Sequence, residues 1–147
     1  MSELYFAYGS NLDADQMGER CPGSRNRFRA RLPHHRLDFT HYSRRWSGGA
    51  ADVVPHRGSL VWGIVYERVD FVRLDRFEGG YERVVLQVLD DDDRMHDVTT
   101  YCVLDKGRYP PSELYVEKML RWAKRWKFPE SYLSQLPTPT RPQPHPR

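Results

Sequence analysis

The sequence predicts one α+β domain, a small antiparallel, barrel-like β-sheet with flanking helices. Most of the chain consists of short runs that alternate apolar and polar residues, which is typical of half-buried strands. Apolar residues recur with helical spacing over a long stretch only from about Glu113 to Lys127. A length of 147 residues is that of a single domain with one core. The pattern therefore favours a curved sheet or small barrel with a few helices packed on it.

The first ordered stretch is predicted to be a buried strand followed by a turn and a helix. Leu4 to Tyr8 is an apolar and aromatic run, and Gly9-Ser10-Asn11 consists of turn formers. Asp13 can cap a short helix that continues to Arg20. A strand that ends in such a turn presents backbone N–H groups at one point, which suits a carboxylate, a phosphate or a developing oxyanion. An ordinary surface turn is the alternative from the residues alone.

The middle of the chain is predicted to be strands. Residues 28–32 and 37–39 alternate with period two, which predicts two strands split near Pro33. Residues 50–55 and 60–66 are expected to pair as a hairpin around the four-residue turn between them.

The second half is predicted to alternate helices and strands. Asp70 can cap a short helix that ends at Gly79-Gly80, with Phe71, Leu74 and Phe77 on one side. Residues 81–89 and 95–104 are expected to form an antiparallel pair.

Domain limits follow from composition. Residues 1–136 are assigned to the domain, and Ser112 is expected to cap its late helix. The proline-rich residues 137–147 cannot form a core and are expected to be a mobile tail.

Composition also narrows the classes of partner. The formal net charge is only +3, and apolar residues interrupt the basic cluster Arg25 to Arg36 at alternate positions. We therefore interpret this cluster as the solvated face of a strand and expect no nucleic-acid partner. The alternative is an RNA-associated module that binds RNA through this cluster and through Arg44-Arg45. Without a signal peptide or an apolar run of ~20 residues, a cytoplasmic protein with no membrane partner is expected. Neither the histidines nor Cys21 and Cys102 have metal-ligand spacing, so no metal is expected.

Glu78 is the candidate for acid–base chemistry. It lies between Phe77 and Gly79-Gly80, at the predicted end of a short helix. In an apolar pocket its pKa would rise from ~4.3 toward neutrality, the range that a general acid or base needs. The alternative from the residues alone is a solvated carboxylate that closes the helix.

Short motifs follow one another along nearly the whole chain: Tyr5–Leu12, Ala30–Leu32, Arg36–Phe39, Gly48–Ala51, Val61–Tyr66, Leu74–Gly79, Pro111–Tyr115 and Phe128–Tyr132. In sequence and order they resemble the γ-glutamyl cyclotransferase family. The resemblance implies a barrel-like sheet and an enzyme, of the acyltransferase or lyase class, without metal or cofactor. Such an enzyme cleaves a γ-glutamyl amide and cyclises the glutamyl part to 5-oxoproline.

The resemblance also implies roles for residues. Glu78 would be both general base and general acid. The amides of Gly9, Ser10 and Asn11 would hold the substrate's α-carboxylate, the oxyanion or both. The substrate-binding residues implied are Tyr5, Phe6, Ala7, Tyr8, Gly9, Ser10, Asn11, Leu12, Tyr81, Tyr101 and Tyr115.

Several alternatives stay open at this point. The small-molecule substrate is a γ-glutamyl amino acid, a γ-glutamylamine or a γ-glutamylated natural product, and the loop Arg44-Arg45-Trp46 favours an acidic or aromatic leaving group. A non-catalytic small-molecule-binding relative is the rival from another class. A homodimer is the expectation by analogy with the family.

Overall fold

The computed structural model describes residues 3–137, so nearly all of the predicted tail, residues 138–147, lies outside the described residues. Within that range the chain forms five strands, four α-helices and one 3₁₀ turn. In chain order they are β1 (Tyr5–Ala7), the 3₁₀ turn (Ser10–Leu12), α1 (Ala14–Arg20), β2 (Arg25–Ser43), β3 (Gly48–Glu67), α2 (Phe71–Asp75), β4 (Tyr81–Leu89), β5 (Met95–Val103), α3 (Glu113–Arg125) and α4 (Glu130–Leu133).

The five strands close into a barrel in the order β1-β3-β2-β4-β5, which confirms the predicted α+β class and barrel. The neighbouring pairs are antiparallel except for β1 and β5, which meet in parallel at Tyr5 and Thr99. Two hydrogen bonds join β5 to the β1 segment at this parallel contact. Thr99 N donates to Leu4 O (2.7 Å), and Thr100 Oγ1 donates to Phe6 O (2.7 Å). Closure leaves β1 hydrogen-bonded on both sides, so its end is held firmly in place.

β2 and β3 are each one continuous strand, which corrects two predictions. The expected break near Pro33 and the expected hairpin turn at residues 56–59 are both wrong, because the two strands continue and pair on both sides of these positions and the chain turns at residues 44–47. The turn-forming residues instead make a bulge, with a register shift next to Pro33 and positive φ at His34 (60°) and Gly58 (87°). Glycine and proline mark a bulge inside a strand as readily as its end.

The predicted helix caps are confirmed. Asp13 Oδ1 accepts bonds from two amides of α1 (2.9 and 3.0 Å), Asp70 Oδ1 accepts one from Arg73 N (3.2 Å), and Ser112 Oγ accepts one from Tyr115 N (3.4 Å). Helix α2 ends at Asp75, earlier than predicted.

The apolar stripe of α3 packs on the barrel and on the turn after β1. Met119 and Ala123 belong to the core cluster, as predicted from their helical spacing, and Trp122 joins them although the spacing did not single it out. Trp126 Nε1 donates a hydrogen bond to Leu12 O (2.8 Å), so the helix also holds the 3₁₀ turn. Among residues 3–137, no helix has the length and hydrophobicity to cross a membrane.

Candidate active site

A cavity of about 510 Å³ opens where the turn after β1, the β2–β3 hairpin, the α2–β4 connection and α3 meet. Its volume is in the range of small-molecule sites. Nine of the twelve residues that the sequence assigned to the site line it: Tyr5, Tyr8, Gly9, Ser10, Asn11, Glu78, Tyr81, Tyr101 and Tyr115.

The other three predicted residues lie elsewhere. Phe6, Ala7 and Leu12 belong to the hydrophobic core and are not part of the cavity lining. They pack the strand and turn that carry the lining residues, and a contact of their own with substrate stays a prediction.

The turn after β1 lies against the hydroxyl of Tyr115. Tyr115 Oη accepts a hydrogen bond from the backbone N–H group of Ala51 (2.9 Å). A Cβ at Gly9 would lie 2.8 Å from Tyr115 Oη, so only glycine allows this approach. The hydroxyl also carries a proton, so its O–H can donate a hydrogen bond to a ligand in the cavity that Tyr115 lines.

Asn11 holds the turn through a buried network. Its Nδ2 donates to Tyr5 Oη (3.0 Å), and its Oδ1 accepts from Gln16 Nε2 (2.9 Å) and Arg20 Nη1 (3.3 Å). Its carbonyl accepts from Tyr66 Oη (3.0 Å). A side chain that is hydrogen-bonded at both its oxygen and its nitrogen fixes the backbone conformation of the turn, and a contact of Asn11 with substrate stays a prediction.

Buried tyrosines form a neutral wall. Tyr8 donates its hydroxyl to the carbonyl of Tyr101 (2.5 Å), and Tyr81 donates to that of Ala51 (2.7 Å). Burial raises the pKa of both hydroxyls well above the usual range. Neither is therefore an acid or base near neutral pH, and both serve to shape the cavity.

A second carboxylate lies behind this wall. Tyr101 Oη donates to Asp75 Oδ1 (2.6 Å), and Arg83 binds both oxygens of the same carboxylate (2.9 and 2.5 Å). The bond from Arg83 lowers the pKa of Asp75, so Asp75 is ionised at neutral pH. Its negative charge contributes to raising the pKa of Glu78.

Glu78 lies on the connection between α2 and β4, with its side chain half-buried at the cavity. Two turn bonds fix its backbone, from Glu78 N to Asp75 O (3.1 Å) and from Tyr81 N to Glu78 O (3.0 Å). Gly80 has φ of 88°, and a Cβ there would collide with the imidazole of His41. The glycine therefore lets the chain turn directly from Glu78 into β4.

The electrostatics of Glu78 suit proton transfer. Burial raises the pKa of its carboxyl to about 8, Arg20 acts in the opposite direction, and Asp75 adds a smaller upward shift. A carboxyl with this pKa is mostly protonated at pH 7 and ionises just above it. It can therefore both accept and donate a proton within the physiological range.

Sequence reasoning missed part of the lining. The hairpin of β2 and β3 brings His41, Tyr42 and Ser43 to the rim, beside the loop Arg44-Arg45-Trp46. Recognising β2 and β3 as continuous strands would have placed these residues at the hairpin end. Arg20 also lines the cavity, although nothing in the pattern distinguishes it from any basic residue in the last turn of a helix.

Fold and site together define a class of protein. The chain is a small closed barrel with a polar small-molecule cavity, where one protonatable carboxyl faces a turn that lies against a buried tyrosine. Among residues 3–137, no three His, Cys, Asp or Glu side chains gather as a metal-binding group. The arrangement is suited to acid–base chemistry on a bound ligand.

Comparisons with known proteins agree with this class. The family model of the AIG2-like family matches residues 60–136. The gamma-glutamylcyclotransferase of Mus musculus is 31% identical over 143 residues, covering 90% of this chain and 76% of the mouse protein. The human gamma-glutamylcyclotransferase is 30% identical, with 92% and 77% covered.

Solved structures give the same result. One of a gamma-glutamyl cyclotransferase superimposes with a TM-score of 0.86 at 28% identity, covering 96% of this chain and 89% of its own. An uncharacterized human protein also reaches 0.86, at 27% identity, with 99% and 92% covered. The chain belongs to the AIG2-like, gamma-glutamylcyclotransferase family, which confirms the resemblance found in the sequence.

Proposed function

We propose that this protein is a γ-glutamyl cyclotransferase that converts a γ-glutamyl amide into 5-oxoproline and a free amine or amino acid. The observation that carries the proposal is Glu78, whose carboxyl has a pKa of about 8 and borders the cavity formed by the turn after β1. Family membership supports the choice of reaction.

Glu78 first acts as the general base. The substrate's α-amine has a pKa near ~8, so it is largely protonated at neutral pH and is not nucleophilic. Ionised Glu78 has nearly the same proton affinity, so moving a proton from the ammonium to the carboxylate costs little free energy. The transfer leaves a neutral amine next to the γ-carbonyl.

Ring closure then cleaves the amide. The α-nitrogen attacks the γ-carbonyl carbon and forms a five-membered ring, and the bond from that carbon to the leaving nitrogen breaks. Protonated Glu78 returns its proton to the leaving nitrogen, so one residue serves as base and then as acid. The regenerated Glu78 carboxylate takes the second proton of the attacking amine from the ring nitrogen and passes it to the released amine, which departs as an ammonium ion. Because the nucleophile and the acyl group belong to one molecule, the reaction balances without water, metal or cofactor.

The turn after β1 supplies hydrogen-bond donors. In this proposal the O–H of Tyr115 and the amides of Gly9, Ser10 and Asn11 receive the substrate's α-carboxylate, the developing oxyanion, or both, and all four residues line the cavity. If the oxyanion is held there, each donor contributes on the order of 3 kcal/mol to lowering the barrier.

The cavity also folds the substrate. An extended glutamyl chain must bend to bring its amine to its own carbonyl, and holding it bent removes much of the entropic cost of ring closure. The hydrogen-bonded hydroxyls of Tyr8 and Tyr81 make a fixed wall for that task.

A panel of γ-glutamyl compounds tests the proposal, with 5-oxoproline measured by mass spectrometry. γ-Glutamyl-alanine and γ-glutamyl-ethylamine differ only in the leaving-group carboxylate, and α-glutamyl-alanine controls for the position of the amide. We expect 5-oxoproline from one or both γ-linked compounds, at a rate above that without protein, and none from the α-linked isomer. If no γ-linked compound yields 5-oxoproline, the proposed activity is wrong and the protein is better described as a non-catalytic small-molecule-binding relative.

Location and assembly are proposed by family analogy only. We infer a cytoplasmic protein and a homodimer, which cell fractionation and analytical ultracentrifugation would check.

A further inference from the structure

Arg20 is a buried cation that makes no salt bridge within residues 3–137. The residue is 7% exposed. Nη1 makes one long hydrogen bond, to Asn11 Oδ1 (3.3 Å), and the guanidinium lies over the ring of Phe77 at 4.9 Å. Nε is buried and has no hydrogen-bond partner. Burying such a donor unpaired is costly, so an incoming acceptor would relieve a real penalty.

The surroundings of Arg20 add to this positive charge. Arg44, Arg45 and Arg76 line the same cavity, and Glu78 is the one acidic residue among the described residues that line it. Because the Glu78 carboxyl is mostly protonated at neutral pH, it does not neutralise four arginines. The cavity is therefore strongly cationic and favours an anionic ligand.

We propose that Arg20 binds a carboxylate of the ligand inside the cavity. This rests on the proposed function for the identity of the ligand, a γ-glutamyl compound, which carries an α-carboxylate and, when the leaving group is an amino acid, a second carboxylate. A guanidinium offers Nε and a neighbouring Nη as a planar fork that matches the two oxygens of a carboxylate. Arg20 is then a substrate-binding residue, supplied by the last turn of α1.

The first test measures binding without turnover. 5-Oxoproline and 5-oxoprolinamide have the same shape and differ in one carboxylate, so their affinities report recognition of that group. Isothermal titration or NMR shift titration would compare wild type, Arg20→Met and Arg20→Lys, with Arg121→Met as a control for loss of an exposed positive charge. Thermal unfolding of each variant would show that it is folded.

The expected result is a loss specific to the acid. Arg20→Met should bind 5-oxoproline about 10- to 100-fold more weakly than wild type, with 5-oxoprolinamide unchanged and Arg20→Lys in between. Equal losses for acid and amide would mean that Arg20 only maintains the shape of the turn and would overturn the proposal. An unchanged preference for the acid in Arg20→Met, or a wild type that binds both alike, would exclude the α-carboxylate, and the proposal then fails unless the second test shows a fall for γ-glutamyl-alanine alone.

The second test identifies which carboxylate is bound. An equal fall of kcat/KM for γ-glutamyl-alanine and γ-glutamyl-ethylamine in Arg20→Met assigns the α-carboxylate. A fall for γ-glutamyl-alanine alone assigns the leaving-group carboxylate, and no fall for either overturns the proposal. If wild type forms no 5-oxoproline from any compound, the proposed reaction fails, while the acid–amide comparison still decides the role of Arg20.

Discussion

Replacing Glu78 with glutamine is expected to lower kcat for a γ-glutamyl substrate by about 10³- to 10⁴-fold. Glutamine keeps the size of the side chain but can neither take the proton of the α-amine nor return one to the leaving nitrogen. Both proton transfers depend on the same carboxyl, so no second group takes over either step. Initial rates of 5-oxoproline formation by wild type and Glu78→Gln, at saturating substrate, provide the measurement.

The Glu78→Gln protein should be folded. Because the pKa of Glu78 is raised in the folded state, ionising its carboxyl lowers the free energy of unfolding. This loss of stability is absent below about pH 4.5 and develops as the pH rises through about 8. The glutamine variant has no such loss and should unfold no earlier than wild type at about pH 9. Glu117→Gln, on the exposed face of α3, is the matched control and should keep full activity. A Glu78→Gln rate within about tenfold of wild type would reject Glu78 as the acid–base group.

Replacing Asp52 with alanine is expected to lower the free energy of unfolding by about 3–5 kcal/mol. Asp52 is fully buried, and its Oδ1 accepts hydrogen bonds from Val53 N (2.9 Å) and Val103 N (3.1 Å). Its Oδ2 accepts from Thr40 Oγ1 (2.7 Å) and Lys106 Nζ (2.8 Å). Removing the carboxylate leaves several buried donors unpaired at the junction of three strands and the following loop.

Urea unfolding of wild type and Asp52→Ala would measure this loss. Asp52 directly follows Ala51, whose N–H and C=O bind the hydroxyls of Tyr115 and Tyr81, so activity should fall together with stability. Asp105→Ala, at an exposed position, is the control and should change stability by less than about 0.5 kcal/mol. A loss below about 1 kcal/mol in Asp52→Ala would show that the four bonds are not needed to hold β3 in place.

Local signals predicted the elements that they control. The apolar run of β1, the caps Asp13, Asp70 and Ser112, and the helical spacing in α3 depend on residues close in sequence, and the structure agrees with each. Phe77 was expected on the packed side of α2 but is 43% exposed, because the helix ends at Asp75. Its ring instead lies under Arg20.

Long-range pairing decided what the sequence could not. Turn-forming residues such as those at Gly58 occur both in bulges and at the ends of strands. Only the pairing of β3 with β2 shows that these residues form a bulge. Glu78 could be proposed from its context and from the resemblance, but its pKa depends on burial and on Arg20, which comes close to it only in the folded chain. The hydrogen bond from the Ala51 amide to Tyr115 is equally a product of tertiary packing.

The central claim is that the Glu78 carboxyl, half-buried at the cavity, titrates near neutral pH. Titration of protein carrying ¹³C-labelled glutamate, with Glu78→Gln to assign the resonance, measures this directly. The structure predicts a midpoint of about 8 for Glu78. A midpoint near the ordinary value of 4.5 would contradict the claim, because a solvated carboxylate of that pKa would lack the proton affinity to deprotonate the substrate's amine.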